Sequence, residues 1–294
     1  MSTIGSRGGN ESPQTFLSGL REHVRRSAPD ILSTFDEYAG EALFGHELLE
    51  ETLRQLPARA HILEIGAGAL MLSCMLAHEG YDVTAVEPVG DGFSHLSKLQ
   101  RVVLEYANEH GAQPKLIRAP GEDLSVKNQF DYAFSVNVME HVGDVARVLE
   151  NVYASLKPGG TYRFICPNYA FPYEPHFNLP TLFSRKLTER VMSRHIMASK
   201  KVVDPAGTWA SLNWITVGKV RRVCRTRLQT APQFDRRIVD IYLTRMLSGG
   251  RFSERRGPLF ARMLSILTWL RVTALAGLIP VRWLPLMDCR VVRR

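Results

Sequence analysis

Residues 60–68 read Ala60-His-Ile-Leu-Glu-Ile-Gly-Ala-Gly68, a short apolar run that ends on two glycines. A run this short, without helical periodicity and bounded by turn residues, reads as a strand buried on both faces. Glycine lets the backbone turn tightly and approach a ligand, and the helix expected to follow, up to Gly80, offers free N–H donors at its start. The segment therefore predicts strand, ligand-binding loop and helix, in that order.

Working outward, the same alternation recurs. Upstream, Ile31 to Leu56 carries apolar residues at helical spacing, among them Leu43, Phe44, Leu48, Leu49 and Leu53, and Pro57 closes it. Downstream, Asp82-Val-Thr-Ala-Val-Glu87 alternates as a strand and Gly92 to His110 as a helix. Pro114 to Arg118, Phe130 to Val136 and Thr161 to Cys166 are three further strands. The helix Val145 to Leu156 is stopped by the breaker Lys157-Pro-Gly-Gly160. Strands alternating with helices define an α/β fold, a doubly wound, mostly parallel sheet. Right-handed crossovers place the strand C-termini along one edge, where such folds bind ligands. Gly66–Gly68, Glu87, Gly121–Asp123, Asn137–His141 and Pro167–Tyr169 all fall at such ends.

The glycine loop is not a dinucleotide fingerprint, because the position of its third glycine is Met71. A carboxylate such as Glu87, closing the second strand, can accept two hydrogen bonds from a ribose diol.

Taken in order, ILEIGAG, VTAVEP, APGEDL, FDYAFSVNVMEHV and LKPGGTYRFICPNY resemble the class I S-adenosylmethionine-dependent methyltransferases. The similarity is to the small-molecule branch that includes the O-methyltransferases of ubiquinone biosynthesis, and it spans about Phe35 to Tyr169. The resemblance implies a Rossmann-like methyltransferase fold with S-adenosyl-L-methionine as cofactor. It implies that Glu64 and the loop Gly66, Ala67 and Gly68 serve the methionine part, that Glu87 holds the ribose, and that Gly121, Glu122 and Asp123 meet adenine. Asn137, Val138 and His141 would lie beside the methyl donor. Two departures stand out: Leu70 occupies the last place of the family's G-x-G-x-G, and Pro120 stands where an Asp often caps the adenine amino group.

Methyl transfer from a sulfonium is an in-line displacement, so the protein chiefly aligns the partners and excludes water. A hydroxyl acceptor also needs a base with a pKa near neutrality. His141 and His176 are the two candidates; the alternative for His141 is a residue that lines the pocket or orients backbone. His176 lies in Asn168-Tyr-Ala-Phe-Pro-Tyr-Glu-Pro-His-Phe177, where two prolines stiffen an aromatic segment around Glu174; the alternative is a structural connection over the sheet edge. Asn137-Val-Met-Glu-His141 lacks the Asn/Asp-Pro-Pro-aromatic pattern of nucleobase amino-methyltransferases, and Cys166 reads as a buried strand cysteine. No metal site is expected, since no convincing carboxylate set is visible, although Glu140, Asp144 and Glu174 could be close.

The chain has 294 residues, 45% hydrophobic and 22% charged, a globular composition that excludes collagen-like and polytopic membrane proteins. Its net charge of +8 is an average of two unlike parts. Residues 1–180 hold 14 Lys+Arg and 23 Asp+Glu, and residues 181–294 hold 23 and 6, so the excess belongs to the last third. That asymmetry points to an anionic partner, a phospholipid surface or a nucleic acid, or else to a solvated basic face. Met263 to Val281 is apolar, but Arg271 and Pro280 disfavour a span. The flanking arginines suit a helix in the headgroup plane; the alternative is a helix packed on the domain. Four widely separated cysteines and no secretory h-region fit a cytoplasmic protein, peripheral at the inner face of a membrane if that helix docks there.

The organisation expected is therefore fourfold: a disordered tail over 1–30, a cofactor-binding core with its N-terminal helix over 31–170, a basic, aromatic, helical acceptor-side insertion over 171–257, and the apolar helix with a last edge strand over 258–294. The expected activity is methyl transfer to an oxygen of a hydrophobic or lipid-linked small molecule. The alternatives are an RNA methyltransferase using Arg221, Arg222, Arg225 and Arg227 as a phosphate stripe, and a non-catalytic scaffold.

Overall fold

The computed structural model describes residues 12–88, 96–182, 184–200, 202–247 and 279–294. Its helices are α1 (Pro13–Ser27), α2 (Leu32–Leu53), α3 (Met71–His78), α4 (Ser97–Glu109), α5 (Val145–Ser155), α6 (Arg185–Met197), α7 (Pro205–Ser211), α8 (Val217–Arg227) and α9 (Arg237–Leu247). The strands are β1 (His61–Ile65), β2 (Asp82–Val86), β3 (Lys115–Ile117), β4 (Phe130–Val136), β5 (Leu156–Pro167), β6 (Tyr173–Glu174), β7 (Leu179–Pro180), β8 (Gln233–Phe234) and β9 (Leu286–Val292). Seven of the strands form a sheet in the order β3-β2-β1-β4-β5-β9-β8, the doubly wound α/β arrangement expected. The pairs β1–β2, β1–β4 and β2–β3 are parallel, whereas β9 runs antiparallel to β8 and, by the hydrogen bonds of Gly159 and Gly160 with Arg293 and of Asn168 with Pro285, antiparallel to β5.

The chain forms two compact units. The first contains the described residues up to Val136, with Asn151–Tyr162 and Arg293–Arg294. Its core is filled by Ile62, Val83, Ala85, Tyr132 and Phe134 from the sheet and by Leu49, Met75, Leu99 and Val103 from the helices. Register decides where its ligand edge lies. Ile65 pairs with Val86, so the loop after β1 and the residue after β2 emerge level with each other.

The disordered tail expected over 1–30 is corrected from residue 12 onward. Ser12 caps α1 by accepting the Thr15 N–H at 3.2 Å, and Pro13 occupies the first turn, where its missing N–H costs nothing. Phe16, Leu17, Leu20 and Val24 line one face of α1 and are buried in the core. That apolar stripe outweighs the polar, glycine-rich residues before it. Residues 1–11 lie outside the described residues.

Lys157-Pro-Gly-Gly160 ends α5 as expected, but it also opens β5, which is longer than the sequence suggests. Gly159 N–H donates to the Arg293 carbonyl at 2.8 Å, and Arg293 N–H to the Gly160 carbonyl at 2.9 Å. A Cβ on Gly160 would come within 2.9 Å of the Lys157 carbonyl and 3.0 Å of that of Phe130, so only glycine fits there.

The second unit comprises Asn137–Glu150 and the described part of Arg163–Val292. Its interior is built on Phe177, Trp209, Leu212, Ile215, Val220, Ile238 and Met287. The insertion is largely helical, as expected, and adds the small antiparallel pair β6–β7. The terminal residues do form a strand, but β9 lies between β5 and β8 and is not an edge. Its inward residues Met287, Cys289 and Val291 are apolar. Buried Asp288 accepts a fork of hydrogen bonds from Arg163 of β5, at 2.9 and 2.6 Å. The apolar stretch at 263–278 lies outside the described residues. Among those described, no helix is long and apolar enough to cross a membrane.

Candidate active site

In the first unit the C-terminal ends of three parallel strands carry the expected cofactor residues. Gly66 and Ala67 donate their N–H groups to the Val86 carbonyl at 2.8 and 3.3 Å, which ties the glycine loop to the end of β2. Gly66 and Gly68 have φ of 72° and 50°, the left-handed region that glycine enters without strain. Leu70 shares that conformation, with φ of 66°, although it is not a glycine. Its side chain is fully buried, so packing offsets a left-handed cost of about 1–2 kcal/mol. The loop thus keeps the backbone course of the G-x-G-x-G pattern with leucine at its last position.

Glu87 follows β2 and accepts the Gly68 N–H on Oε2 at 2.8 Å. Burial pushes its carboxyl up, and the Gly68 N–H draws it partly back. Among the described residues, a Cβ built on Gly68 meets nothing within 4 Å, so open space adjoins a buried acceptor carboxylate. Open loop backbone beside such a carboxylate is the chemistry that an adenosine ribose and an amino acid tail require. The residues present therefore fit S-adenosylmethionine. Glu64 turns inward instead, accepting a hydrogen bond from Ser73 Oγ of α3, and its burial raises its pKa to about 8. It supports the loop from below, at the foot of α3.

Gly121, Glu122 and Asp123 form one tight helical turn after Pro120. Asn151 of α5 holds this turn, donating from Nδ2 to the Glu122 carbonyl at 2.6 Å and the Gly121 carbonyl at 3.3 Å. Gln100 of α4 does the same for the glycine loop, donating to the Gly68 carbonyl at 2.6 Å. Sequence reasoning missed both amides. Each lies about 30 residues from the carbonyl it serves, beyond any local pattern.

The second unit begins immediately after β4. Asn137 adopts φ of 55° and donates its N–H to the Ile165 carbonyl at 2.8 Å, which turns the chain sharply. Val138 starts the next turn, closed by the His141 N–H on its carbonyl at 2.8 Å. That turn aims Glu140 and His141 at the loop carrying His176. His141 and His176 meet edge to face, with ring centroids 5.1 Å apart. Both base candidates therefore share one cluster.

The two imidazoles are held differently. Ser211 Oγ donates to the Thr208 carbonyl at 2.8 Å, so towards His141 it acts as acceptor, and the His141 Nδ1–H points at it over 2.8 Å. The Nε2 lone pair then faces Glu140 Oε1 at 3.9 Å. Burial, with His176 nearby, lowers the His141 pKa to about 4, which makes it a poor base at neutral pH. His176 instead places Nδ1 2.6 Å from Oε1 of Glu174. Glu174 is fully buried and also accepts the Tyr169 hydroxyl at 3.2 Å and the backbone N–H groups of His176 and Phe177 at 3.2 and 2.7 Å. Burial alone would raise its carboxyl, but His176 and these N–H groups hold it below its ordinary value. An ionised carboxylate thus fixes the His176 ring with Nε2 as the proton-accepting atom.

Glu140 is the exception in this cluster. It is 0% exposed, and among the described residues neither carboxylate oxygen has a hydrogen-bond partner outside its own residue. Burial raises its pKa to about 7. Asn213 anchors the surrounding backbone, its Nδ2 reaching the Met139 and Val142 carbonyls at 2.8 and 2.7 Å. Trp214 follows with φ of 54°, unusual for a bulky residue, and stacks on Tyr169 at 5.3 Å. Trp209 completes an aromatic wall with Phe177, 5.7 Å away. Sequence reasoning missed Ser211, Asn213, Trp209 and Trp214, because their contacts in this cluster are with residues far away in the chain, some 70 residues for Ser211 and Asn213, and leave no local signal. No metal ligand set was expected either, yet ligand atoms of Glu140, His141 and His176 lie within 4.8 Å of one another, close enough to share a cation.

A glycine loop, a ribose-type carboxylate and a turn for the base, on successive parallel strands, define a nucleoside-binding α/β enzyme. Residues 35–203 match the family described as methyltransferase domain, which is more than half the chain. An uncharacterized protein of Mycobacterium tuberculosis is 43% identical over 279 residues, 95% of this chain and 94% of that one. The ubiquinone biosynthesis O-methyltransferase of Rickettsia akari is 26% identical over 103 residues, 35% of this chain and 38% of that one. Phosphoethanolamine N-methyltransferase 2 of Haemonchus contortus, solved with S-adenosyl-L-methionine, shares the fold with a TM-score of 0.53 at 13% identity, over 93% of this chain and 60% of that one. The chain belongs to the class I S-adenosylmethionine-dependent methyltransferases, and S-adenosylmethionine is its cofactor.

Proposed function

We propose that the enzyme methylates an oxygen of a hydrophobic, lipid-linked small molecule, with His176 as the base that takes the hydroxyl proton. The observation that carries this reading is the His176 Nδ1 to Glu174 Oε1 contact at 2.6 Å. Bound S-adenosylmethionine supplies an activated methyl group on a sulfonium. Gly66, Ala67, Gly68, Glu87 and Gly121–Asp123 are the residues that hold it in this reading, and the segment Asn137–His141 serves the transferring end. The methyl group would pass from the sulfonium sulfur to the acceptor oxygen, the carbon–sulfur bond breaking to leave the neutral thioether S-adenosylhomocysteine, while His176 Nε2 would take the hydroxyl proton and the buried Glu174 carboxylate would stabilise the imidazolium. Tyr169, Phe177, Trp209 and Trp214 supply an apolar wall that excludes water and favours a hydrophobic acceptor. His141, neutral and tied to Ser211, shapes the cluster and carries no proton. Such a reaction belongs in the cytoplasm, at the inner face of a membrane where a lipid-linked acceptor resides. Turnover of a His176→Ala variant tests it: loss of transfer with cofactor affinity retained supports the base, and unchanged turnover excludes it.

A second reading rests on Glu140, whose buried oxygens are unpartnered. With His141 and His176 it could hold a divalent cation, which would acidify a bound hydroxyl without a protein base. Chelation separates the two readings. Activity abolished by a chelator and restored by added metal favours the cation, and activity that survives chelation favours His176.

A further inference from the structure

Among the described residues, helix α6 is secured on one side. Ser184 caps it by accepting the Leu187 N–H at 3.2 Å, and Thr188 and Ile196 are buried beneath it. Arg185 clamps the same side to the α7 end, donating to the Leu212 and Ala210 carbonyls at 3.0 and 3.1 Å. Away from that side, Leu187 is 44% exposed and Val191 59%, while Met197, 51% exposed, lies around the helix on the far side of Arg190 and Arg194. Leu187 and Val191 are four residues apart, so they stack along one line of the helix. Arg190 and Arg194, spaced by the same interval, run beside that line, with Lys186 beyond them. Among the described residues none of these three cations forms an ion pair, and the helix has a single acidic residue, Glu189.

Leu187 and Val191, in line on one exposed face, add nothing to the core, and a bare basic face would not need them. An apolar line bordered by cations is the pattern of a helix lying in a lipid interface, with the apolar side chains at acyl depth and the cations at the headgroups. Nucleic acid would use the cations and leave Leu187 and Val191 without a role. We infer that the outer face of α6 docks on an anionic phospholipid bilayer, a contact separate from the apolar stretch at 263–281. The inference does not depend on the acceptor or the base, so its failure would leave the His176 reading standing.

The test is co-sedimentation of the full chain with vesicles of phosphatidylcholine alone and of phosphatidylcholine with an equal part of phosphatidylglycerol. The comparison set is wild type, Leu187→Asp with Val191→Asp, and Arg190→Glu with Arg194→Glu, all at exposed positions. Wild type should pellet with the anionic vesicles at low salt and far less with the neutral ones. Each cation near an anionic surface multiplies affinity by about fivefold, so the arginine pair should weaken binding by roughly 25-fold or more. The aspartate pair should abolish it, while calorimetric titration with S-adenosylmethionine stays at the wild-type value in both variants. Wild type failing to bind anionic vesicles, both variants binding as wild type does, or arginine-dependent binding to structured RNA with none to vesicles would each overturn the inference.

Discussion

Nδ1 of His176 lies 2.6 Å from Oε1 of a Glu174 carboxylate that is wholly buried and held ionised by its hydrogen bonds. The pair resembles the base and orienting acid of other proton-transfer sites, in which the carboxylate selects the tautomer and steadies the charge that forms. Glu174→Gln keeps the shape and removes the charge. It should lower kcat by roughly 10- to 100-fold, with KM for the cofactor unchanged. His176→Ala should cost at least as much. Steady-state kinetics with a saturating acceptor measures both, and a Glu174→Gln enzyme with wild-type kcat would remove the carboxylate from the mechanism.

Glu87 holds the glycine loop through the Gly68 N–H at 2.8 Å. Replacing it with Ala removes the proposed ribose acceptor and frees the loop. A hydrogen bond to a charged group contributes about 1.5–3 kcal/mol, so the dissociation constant for S-adenosylmethionine should rise by roughly 10- to 100-fold. Isothermal titration calorimetry reads this directly, and an unchanged constant would mean that the ribose is held elsewhere.

Buried Glu64 gives stability a recognisable pH dependence. Its folded pKa is about 8, against an ordinary value of 4.5. Between those values the unfolded chain has released a proton that the folded chain keeps, so stability falls as pH rises across that window and levels off above it. Glu140, raised to about 7, adds the same sign over a narrower range. His141 acts at the acid end: its folded pKa of about 4 lies below the ordinary 6.5, so stability is lost as pH falls between them. Urea unfolding across pH should show wild type losing stability from about pH 5 to 8, more steeply than Glu64→Gln. Parallel curves for the two proteins would place Glu64 ionised in the fold.

The parts of the fold that could be read from sequence are those whose signal is local. β1, β2 and β4 alternate or run apolar within a few residues, and Gly66 and Gly68 mark a turn that only glycine makes cheaply. Helix α1 escaped because the residues before its Ser12 cap look like a flexible leader, and its apolar stripe is only four residues. The six-residue signature of β9 cannot separate an edge from an interior position, because Asp288 finds its partner Arg163 125 residues away. The same holds for the site. His141 and His176 were visible as titratable residues near strand ends, but the Ser211 bond that separates their roles spans 70 residues.

Arg163 and Asp288 are 5% and 1% exposed, so breaking their pair strands a charge in the interior. Arg163→Ala or Asp288→Ala should destabilise the fold by about 3–5 kcal/mol, whereas replacing both with apolar residues of similar volume should cost far less. Denaturant unfolding of the single and double variants checks this. A double variant as unstable as the two singles combined would show that the two side chains act independently and that no pairing energy links them.

The most direct test of the proposed reaction is transfer of a labelled methyl group from S-adenosylmethionine, by the purified enzyme, into the organic-soluble fraction of source cells whose gene for this protein has been deleted. Wild type should label a discrete lipid-soluble species through an oxygen, and His176→Ala, with its cofactor affinity intact, should label it at least about tenfold more slowly. Label appearing in RNA instead, or in the same species at equal rates with both enzymes, would contradict O-methylation by a His176 base.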